Sequence, residues 1–291
     1  MDPRIVDRLR CPVCAEPLAE ATAGTARALR CPRRHSFDVA RQGYVNLLTG
    51  RAPHVGDSAE MVTARADFLA AGHYDTVSTA LADAARDAAD RAGAAGAALG
   101  AYPLVVDAGA GTGWHLAAVL AALPDAVGLA LDVSKPALRR AAQAHPRVAA
   151  ALADTWQRLP LADASTAVLL NVFAPRNGAE FRRVLHPAGA LLVVTPTGAH
   201  LAELVDVLGL LRVDPAKADR VAGSLAAHFD EVAESVLRAR LELTRPEVAT
   251  LVGMGPSAWH TDPAALAVRI ATLPEPVGVT LAVRLTVHRP R

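Results

Sequence analysis

The sequence predicts an α/β fold built on a mostly parallel sheet, preceded by a small module that binds a metal ion. Two observations predict it. After Pro103, short apolar runs alternate with stretches of helical periodicity, which is typical of βαβ units around a buried parallel sheet. Before residue 51, the chain instead carries three cysteines, many arginines and little periodicity. We therefore expect two structural units of different character.

Five apolar runs are candidate parallel strands, and helical stretches lie between them. The candidate strands cover residues 104–107, 128–132, 148–152, 167–171 and 191–195. The candidate helices lie near residues 114–123, 136–144, 178–185 and 200–209. Two further runs, 236–243 and 277–287, are expected to close the sheet as partly antiparallel strands. The sequence thus predicts a seven-stranded, mostly parallel sheet of the Rossmann-like type.

Between the metal-binding module and the sheet, the chain is predicted to form a helical connector. Asp57 and Ser58 stand before a helical spacing of apolar residues, as expected at a helix N-terminus. A second helix is expected from Asp75 to about Ala92. The predicted domains are therefore the module at 1–50, the connector at 51–100 and the α/β domain at 101–291.

Composition and charge exclude several classes of protein. The chain has 291 residues, 52% of them hydrophobic, which is enough for a buried core. Its formal net charge of +1 excludes a uniformly basic nucleic-acid coat, but residues 1–51 hold nine arginines against five acidic residues, a local balance of +4. No basic stretch followed by an apolar run opens the chain, and no uncharged apolar stretch is long enough to span a bilayer. We expect a cytoplasmic protein with no membrane partner.

The cysteines and one histidine form a pattern typical of a zinc site. Cys11 and Cys14 are separated by two residues, and Cys31 and His35 by three. Three thiolates and one imidazole are enough for one closed, structural tetrahedral Zn²⁺ site, with a short hairpin between the two pairs. The alternative is isolated core cysteines and a surface histidine. Arginines around this pattern suit contacts with phosphate, and an ordinary solvated face is the alternative for them.

A glycine-dense turn lies between the first predicted strand and helix of the α/β domain. Gly109, Gly111 and the following Thr112 occupy the position where such folds hold an adenosine cofactor. A dinucleotide fingerprint would need glycine three residues after Gly111, where Trp114 stands. Asp107 would repel a pyrophosphate but can accept hydrogen bonds around a cationic cofactor. The pattern therefore favours S-adenosylmethionine over NAD or FAD.

Further polar residues follow the next predicted strands. Asp132 is placed to accept both ribose hydroxyls, and Asp154 is expected at the adenine edge. Asn171 and Phe173 are expected near the cofactor's methyl group, where Asn171 could also bind a base edge and Phe173 could stack on an extruded base. The alternatives are helix caps or surface charges for the acids and core packing for Phe173. His200 is expected either to cap a helix or to line the cofactor site.

The chain resembles the bacterial 23S rRNA (guanine-N1)-methyltransferases that carry an N-terminal zinc module. The segments that carry this resemblance are 35–48, 56–61, 72–74, 107–113, 131–136 and 195–200. Segments 171–177, 201–206 and 254–260 look most like the actinobacterial branch that includes tylosin-resistance methyltransferases. The resemblance thus covers nearly the whole chain.

The resemblance implies a class I S-adenosylmethionine-dependent methyltransferase fold and a 23S rRNA substrate. It implies methylation of guanine N1 in a domain II hairpin that lines the peptide exit tunnel, with macrolide resistance as one outcome. It also implies that Cys11, Cys14, Cys31 and His35 bind zinc, and that Tyr74, Gly111, Thr112 and His200 contact S-adenosylmethionine. A homodimer whose zinc modules help to form an RNA-binding cleft is expected from the same likeness.

No residue is predicted as the general base. The sequence leaves three other functions open: methylation of a small molecule or protein, nicotinamide-dependent oxidation, and RNA binding without catalysis. The zinc module argues against the first two, and the intact glycine turn with Asp132 argues against the third.

Overall fold

An eight-stranded mixed sheet lies at the centre of the chain in the computed structural model, which describes residues 1–24, 26–50, 56–94, 102–211, 223–255, 257 and 262–291. The strands, in chain order, are β1 (Ala19–Ala23), β2 (Ala26–Arg30), β3 (Ser36–Asp38), β4 (Tyr44–Asn46), β5 (Leu104–Ala108), β6 (Val127–Asp132), β7 (Val148–Leu152), β8 (Thr166–Val172), β9 (Leu185–Pro196), β10 (Phe229–Leu243) and β11 (Val277–Pro290). The large sheet has the order β10-β11-β9-β8-β5-β6-β7-β4. Strands β1 to β3 form a separate antiparallel sheet.

Helices cover both faces of the large sheet. In chain order they are α1 (Pro3–Val6), α2 (Ala59–Ala70), α3 (Asp75–Ala94), α4 (Trp114–Ala122), α5 (Lys135–Ala141), α6 (Gly178–Val184), α7 (Ala202–Leu208), α8 (Arg245–Gly253) and α9 (Pro263–Ala271). The predicted N-terminus of α2 is confirmed, because the Ser58 side chain accepts a hydrogen bond from the Met61 amide at 3.3 Å. Sequence periodicity did not predict α8 or α9. No helix of the described residues is long and apolar enough to cross a membrane.

The predicted sheet is confirmed and has one strand more than expected. Strands β5 to β9 pair in parallel, and β11 pairs antiparallel with both β9 and β10. The additional strand is β4, which pairs in parallel with β7 through Tyr44 and Ala150. Its three residues are too few for an alternating pattern to reveal a strand. Residues 51–55 and 95–100 of the predicted connector, and most of the segment 254–260, lie outside the described residues.

Alternate side chains of the central strands enter two separate cores. Val105 packs with α3 and α4 on one face, whereas Val106 packs on the other face with the N-terminal segment and α6. Ile5 and Leu9 of that segment are fully buried there. A bridge between Leu9 and Leu161 fastens the segment to the α/β part of the chain. The metal-binding pattern is therefore held against the sheet by a shared apolar core.

The chain order of the parallel strands reverses at β5. Strands β6 and β7 lie to one side of it, and β8 and β9 lie to the other. In open α/β sheets, ligands bind at such a reversal, outside the carboxyl ends of the strands. The acidic and amide side chains predicted for the site all lie at this edge, at or just after the carboxyl ends of β5 to β8.

Candidate cofactor pocket and metal centre

Four predicted metal ligands converge in the N-terminal segment. The thiolates of Cys11, Cys14 and Cys31 and one ring nitrogen of His35 all lie within 4.8 Å of one another. The distances are 3.7 Å from Cys14 Sγ to Cys31 Sγ, 3.5 Å from Cys11 Sγ to His35 Nδ1, and 3.3 Å from Cys31 Sγ to His35 Nδ1. A zinc tetrahedron has S···S edges of about 3.8 Å and S···N edges of about 3.6 Å, given its usual bond lengths. The donor set therefore fits one structural Zn²⁺.

Two tight turns present these ligands. In the first, the Ala15 amide donates to the Cys11 carbonyl at 2.8 Å, and in the second the Arg34 amide donates to the Cys31 carbonyl at 2.9 Å. Ala15 and Arg34 have positive φ angles of 61° and 67°, which reverse the chain beside each pair of ligands. The hairpin of β1 and β2 joins the turns, as the spacing predicted.

The glycine turn between β5 and α4 brings backbone close to neighbouring elements. Gly109 and Gly111 have φ angles of 86° and 53°. A Cβ on Gly109 would lie 2.4 Å from the Cβ of Ala174, a separation that atoms cannot adopt. The Gly109 amide donates to the Leu131 carbonyl at the end of β6. Glycine is thus required here by both conformation and space.

Asp107, at the end of β5, is buried and only partly satisfied. It is 2% exposed, and its Oδ1 has no hydrogen-bond partner among the described residues. Burial, and the nearby carboxyl group of Asp132, raise the pKa of Asp107 to about 8. A buried carboxyl group in this state gains most from a ligand that brings a positive charge or a donor.

Asp132, at the end of β6, organises the turn. Its Oδ2 accepts from the Gly111 amide at 2.8 Å, and its Oδ1 accepts from the Ser134 amide at 2.8 Å. Burial raises the pKa of Asp132, and these two amide bonds oppose that rise. Each carboxylate oxygen can accept a second hydrogen bond, so the contacts are compatible with the predicted ribose contact.

Unsatisfied buried oxygens lie along the same edge of the sheet. Asp154 accepts from the Trp156 amide at 2.9 Å through Oδ1, while its Oδ2 is buried and has no partner among the described residues. Thr112 Oγ1 and Asn171 Oδ1 are likewise buried without a hydrogen-bond partner among the described residues. Buried oxygens without partners are costly, and a bound ligand can satisfy them. Together with Asp107, this chemistry fits S-adenosylmethionine, whose sulfonium and ammonium groups are cationic.

Asn171 has a different setting from the one expected. It is fully buried, and its Nδ2 donates to the carbonyls of Ala108 at 3.1 Å and Pro175 at 2.8 Å. The side chain therefore ties the end of β8 to the end of β5. This geometry favours a positioning role over the predicted contact with a base edge.

Three rings from distant parts of the chain meet beside the glycine turn. Tyr74 immediately precedes α3, Phe173 follows β8, and His200 precedes α7. Ring centroids are 6.2 Å apart for Tyr74 and Phe173 and 6.0 Å apart for Phe173 and His200, and the latter pair is nearly parallel. Phe173 is 42% exposed and has a positive φ of 51°, so it is not core packing. His200 does not cap α7, because its Nδ1 instead accepts from the Ala282 amide at 3.3 Å.

The structure adds residues to this pocket that sequence reasoning did not assign to it. Arg65 of α2 forms an ion pair with Asp57 and donates to the Met254 carbonyl at 2.8 Å. A Cβ on Gly111 would lie 3.3 Å from Arg65 Nη1, which puts the guanidinium against the glycine turn. Periodicity marks α2 as a helix but does not reveal which of its polar residues faces the turn.

The fold is that of a class I methyltransferase. The order of its parallel strands reverses at β5, and its last strand, β11, lies antiparallel between β9 and β10. A glycine turn follows β5, and acidic residues stand at the strand ends. Residues 9–51 match the family model of the RlmA N-terminal zinc ribbon. The chain is 70% identical to a putative 23S rRNA (guanine-N1)-methyltransferase of Micromonospora griseorubida, over 100% of both chains. The chain belongs to the family of 23S rRNA (guanine-N1)-methyltransferases.

Two other curated relatives carry names of the same kind. The 23S rRNA (guanine(748)-N1)-methyltransferase of Streptomyces fradiae is 53% identical over 100% of this chain and 99% of its own. A putative 23S rRNA (guanine-N1)-methyltransferase of Bacillus subtilis strain 168 is 32% identical over 67% of this chain and 66% of its own. A solved SAM-dependent methyltransferase from Geobacter sulfurreducens covers 65% of this chain and 85% of that chain at 14% identity and a TM-score of 0.40, a likeness too low to support an assignment.

Proposed function

We propose that this chain transfers a methyl group from S-adenosylmethionine to N1 of a guanine in 23S rRNA. The observation that carries the proposal is the full-length identity of 53% to the Streptomyces fradiae relative, whose name specifies guanine 748. The proposed target is the corresponding guanine, in a domain II hairpin near the peptide exit tunnel. Because ribosomes are cytoplasmic, the proposal places the chain in the cytoplasm.

The cofactor supplies an electrophilic methyl group on a cationic sulfur. In this proposal the methionine end of the cofactor is bound at the end of β5 and in the glycine turn, by Asp107, Gly109, Gly111 and Thr112. Tyr74 and His200 also contact the cofactor, beside the turn. Asp132 holds the ribose, and Asp154 lies at the adenine edge. Asn171 positions the ends of β5 and β8 through its two backbone contacts. The protein then accelerates transfer mainly by holding two reactants in line.

Phe173 is the proposed stacking partner of the target guanine. Its ring is 42% exposed at the carboxyl edge of the sheet, beside Tyr74 and His200. N1 lies on the pairing edge of guanine, so a guanine stacked within a hairpin must be extruded before a methyl group can reach it, and proteins that bind extruded bases stack them on aromatic rings. The strained backbone at Phe173 is consistent with a ring held outward for that purpose.

The zinc-bearing segment is the proposed RNA-recognition module. Five arginines of this segment are exposed, which suits contact with phosphates: Arg27, Arg30, Arg33, Arg34 and Arg41. The proposed division of the chain remains a module at 1–50, a connector at 51–100 and a methyltransferase domain at 101–291. A homodimer that pairs two such modules around one RNA is part of the same proposal.

On the same full-length likeness we propose macrolide resistance as the biological outcome of the methylation. A methyl group on a guanine in the exit tunnel would alter the surface that a tylosin-type drug contacts. Expression of the chain in a susceptible bacterium that lacks this methylation should raise the inhibitory concentration of tylosin. An unchanged inhibitory concentration, with the guanine fully methylated, would restrict the proposal to rRNA methylation.

A transfer assay tests the proposed function. Purified protein is incubated with S-adenosylmethionine labelled in the methyl group and with a transcript of the domain II hairpin. The matched control transcript replaces only the target guanine with adenine, whose N1 carries no proton. We expect label in the first transcript and background in the second. Equal labelling of both transcripts, or label in neither the hairpin nor whole unmodified 23S rRNA, would contradict the proposal.

A further inference from the structure

Arg65 places a positive charge against the glycine turn. Its Nη1 pairs with Asp57, and its Nη2 donates to the Met254 carbonyl at 2.8 Å. The position that a Cβ of Gly111 would take is 3.3 Å from Nη1 and 3.6 Å from the Arg65 Cδ. The guanidinium therefore lies along the surface of Gly111 that a cofactor would approach.

The charge of Arg65 acts on residues of three different elements. Burial raises the pKa values of Tyr74, just before α3, and of Asp132, at the end of β6, and lowers the pKa of His115 in α4; in each case the nearby charge of Arg65 lowers the pKa to a smaller extent. These residues surround the turn that follows β5. The Arg65 guanidinium therefore lies beside the glycine turn, where its side chain is 28% exposed.

The acidic surroundings explain why a cation is needed there. Asp107 suits the cationic groups of the cofactor, but the carboxylates of Asp57, Asp107 and Asp132 together would repel the α-carboxylate at the same end of the molecule. The Gly111 amide, a natural donor for that carboxylate, is already occupied by Asp132 at 2.8 Å. A carboxylate therefore needs another donor beside the turn.

We propose that Arg65 binds the α-carboxylate of S-adenosylmethionine and makes the pocket selective for cofactors that carry this group. Its guanidinium has five donor hydrogens, of which the contacts with Asp57 and Met254 use only part, and its Nε has no hydrogen-bond partner among the described residues. Thr112 Oγ1, which is buried and finds no partner within the described part of the chain, can supply a second donor. This inference rests on the cofactor, but not on the RNA substrate, of the proposed function.

A purely structural role for Arg65 makes a different prediction. In that case the residue only ties α2 to Asp57 and to the end of α8, and its loss weakens every cofactor equally. Direct recognition of the carboxylate weakens only the cofactors that carry one. Comparing two ligands in two proteins separates the two roles, because the coupling between the ligand change and the residue change is zero in the first case.

The test uses calorimetric titration of the full-length, zinc-loaded protein with S-adenosylmethionine and with decarboxylated S-adenosylmethionine. We expect the wild-type protein to prefer the carboxylated form by about 10- to 100-fold, as charged hydrogen bonds usually give. In Arg65→Met this preference should fall below about threefold, with the affinity for the decarboxylated form unchanged. Arg140→Met, which removes an exposed arginine bonded to Thr63 of α2, should keep the wild-type preference.

Each outcome decides the matter. Equal binding of the two ligands by the wild-type protein, or the same preference in Arg65→Met, would overturn the assignment of Arg65. If Arg65→Met does not fold, Arg65→Lys carries the test: a point charge of shorter reach should reduce the preference, and an unchanged preference would overturn the proposal. If the wild-type protein binds neither ligand, the proposed function itself is contradicted.

Discussion

Tyr74 Oη lies 3.4 Å from His200 Nε2, although 126 residues separate the two in the chain. The other nitrogen of the ring, Nδ1, accepts from the Ala282 amide. Burial lowers the pKa of His200 to about 4, so the ring is neutral at pH 7 and carries its hydrogen on Nε2. Nε2 therefore donates to Tyr74 Oη, and the tyrosine hydroxyl is left to donate to a ligand.

Replacing Tyr74 with phenylalanine should weaken the binding of S-adenosylmethionine. The change removes one hydrogen bond, worth about 1 kcal/mol, or roughly a fivefold rise in the dissociation constant. Calorimetric titration measures it, and Tyr102→Phe, which alters a tyrosine packed on Arg4 at the surface, is the matched control. An unchanged dissociation constant in Tyr74→Phe would show that the hydroxyl does not face the cofactor.

Cofactor affinity should depend on pH through Asp107. Its pKa of about 8 leaves the carboxyl group protonated at pH 7 in the free protein, whereas a cationic ligand favours the ionised form. Binding then releases a proton, so affinity should rise by up to about tenfold per pH unit from pH 6 to 8 and level off above pH 8. Titrations across this range measure the slope. The same slope in Asp107→Asn would assign the dependence to another group.

Gly109→Ala should damage the cofactor pocket. The new Cβ would meet the Cβ of Ala174 at 2.4 Å and would sit on a residue with φ of 86°. Such strain costs about 1–3 kcal/mol, and the turn must move to relieve it. Thermal unfolding and cofactor titration should both show the loss. Gly198→Ala, where a Cβ meets nothing within 4 Å, should change neither, and equal effects of the two variants would contradict this reading.

Phe173→Ala should lower methyl transfer to RNA without changing cofactor affinity. Stacking of a base on an aromatic ring contributes about 1–3 kcal/mol, so kcat/KM should fall by roughly 5- to 150-fold. Phe173→Tyr should retain most of the activity, because it keeps a ring of similar size. Val268→Ala removes another exposed apolar side chain and serves as the control. A parallel loss of cofactor affinity in Phe173→Ala would mean that the ring lines the cofactor site instead.

Removing one zinc ligand should separate RNA recognition from cofactor binding. The Cys14→Ser variant is expected to lose its bound zinc, so that the turns at Cys11 and Cys31 unfold. Most of the methyl transfer to RNA should then be lost. The pocket at the carboxyl edge of the sheet lies outside these turns, so the dissociation constant for S-adenosylmethionine should stay within about threefold. Metal analysis, calorimetry and the transfer assay measure the three effects. If zinc-free protein transferred methyl groups to RNA as fast as the wild-type protein, the role given to the module would be contradicted.

Local signals in the sequence were sufficient for the parallel strands β5 to β9 and for the metal ligands. Buried strands such as β5 and β6 are continuous apolar runs, and each pair of zinc ligands is a local motif, so neither needed knowledge of distant contacts. The strand-end acids followed from the same logic, because the carboxyl ends of parallel strands meet at one edge.

Long-range placement is what the sequence could not supply. Tyr74 was predicted as a pocket residue only from the family resemblance, and Arg65 was not predicted as one. Helical periodicity does not specify what a polar side chain on a helix faces. Asn171 shows the opposite difficulty. Its position at a strand end was predicted, but the sequence does not show that its two carbonyl partners lie at the end of β5 and in the loop after β8.

The most direct test of the account is the identity and position of the methylated nucleoside. Unmodified 23S rRNA is treated with the protein and S-adenosylmethionine, digested for mass spectrometry, and copied in parallel by reverse transcriptase, which stops at a methyl group on the pairing edge of guanine. The account predicts N1-methylguanine and one new stop, at the guanine corresponding to position 748. Methylation of another base, of another atom of guanine, or of no RNA nucleoside would contradict it.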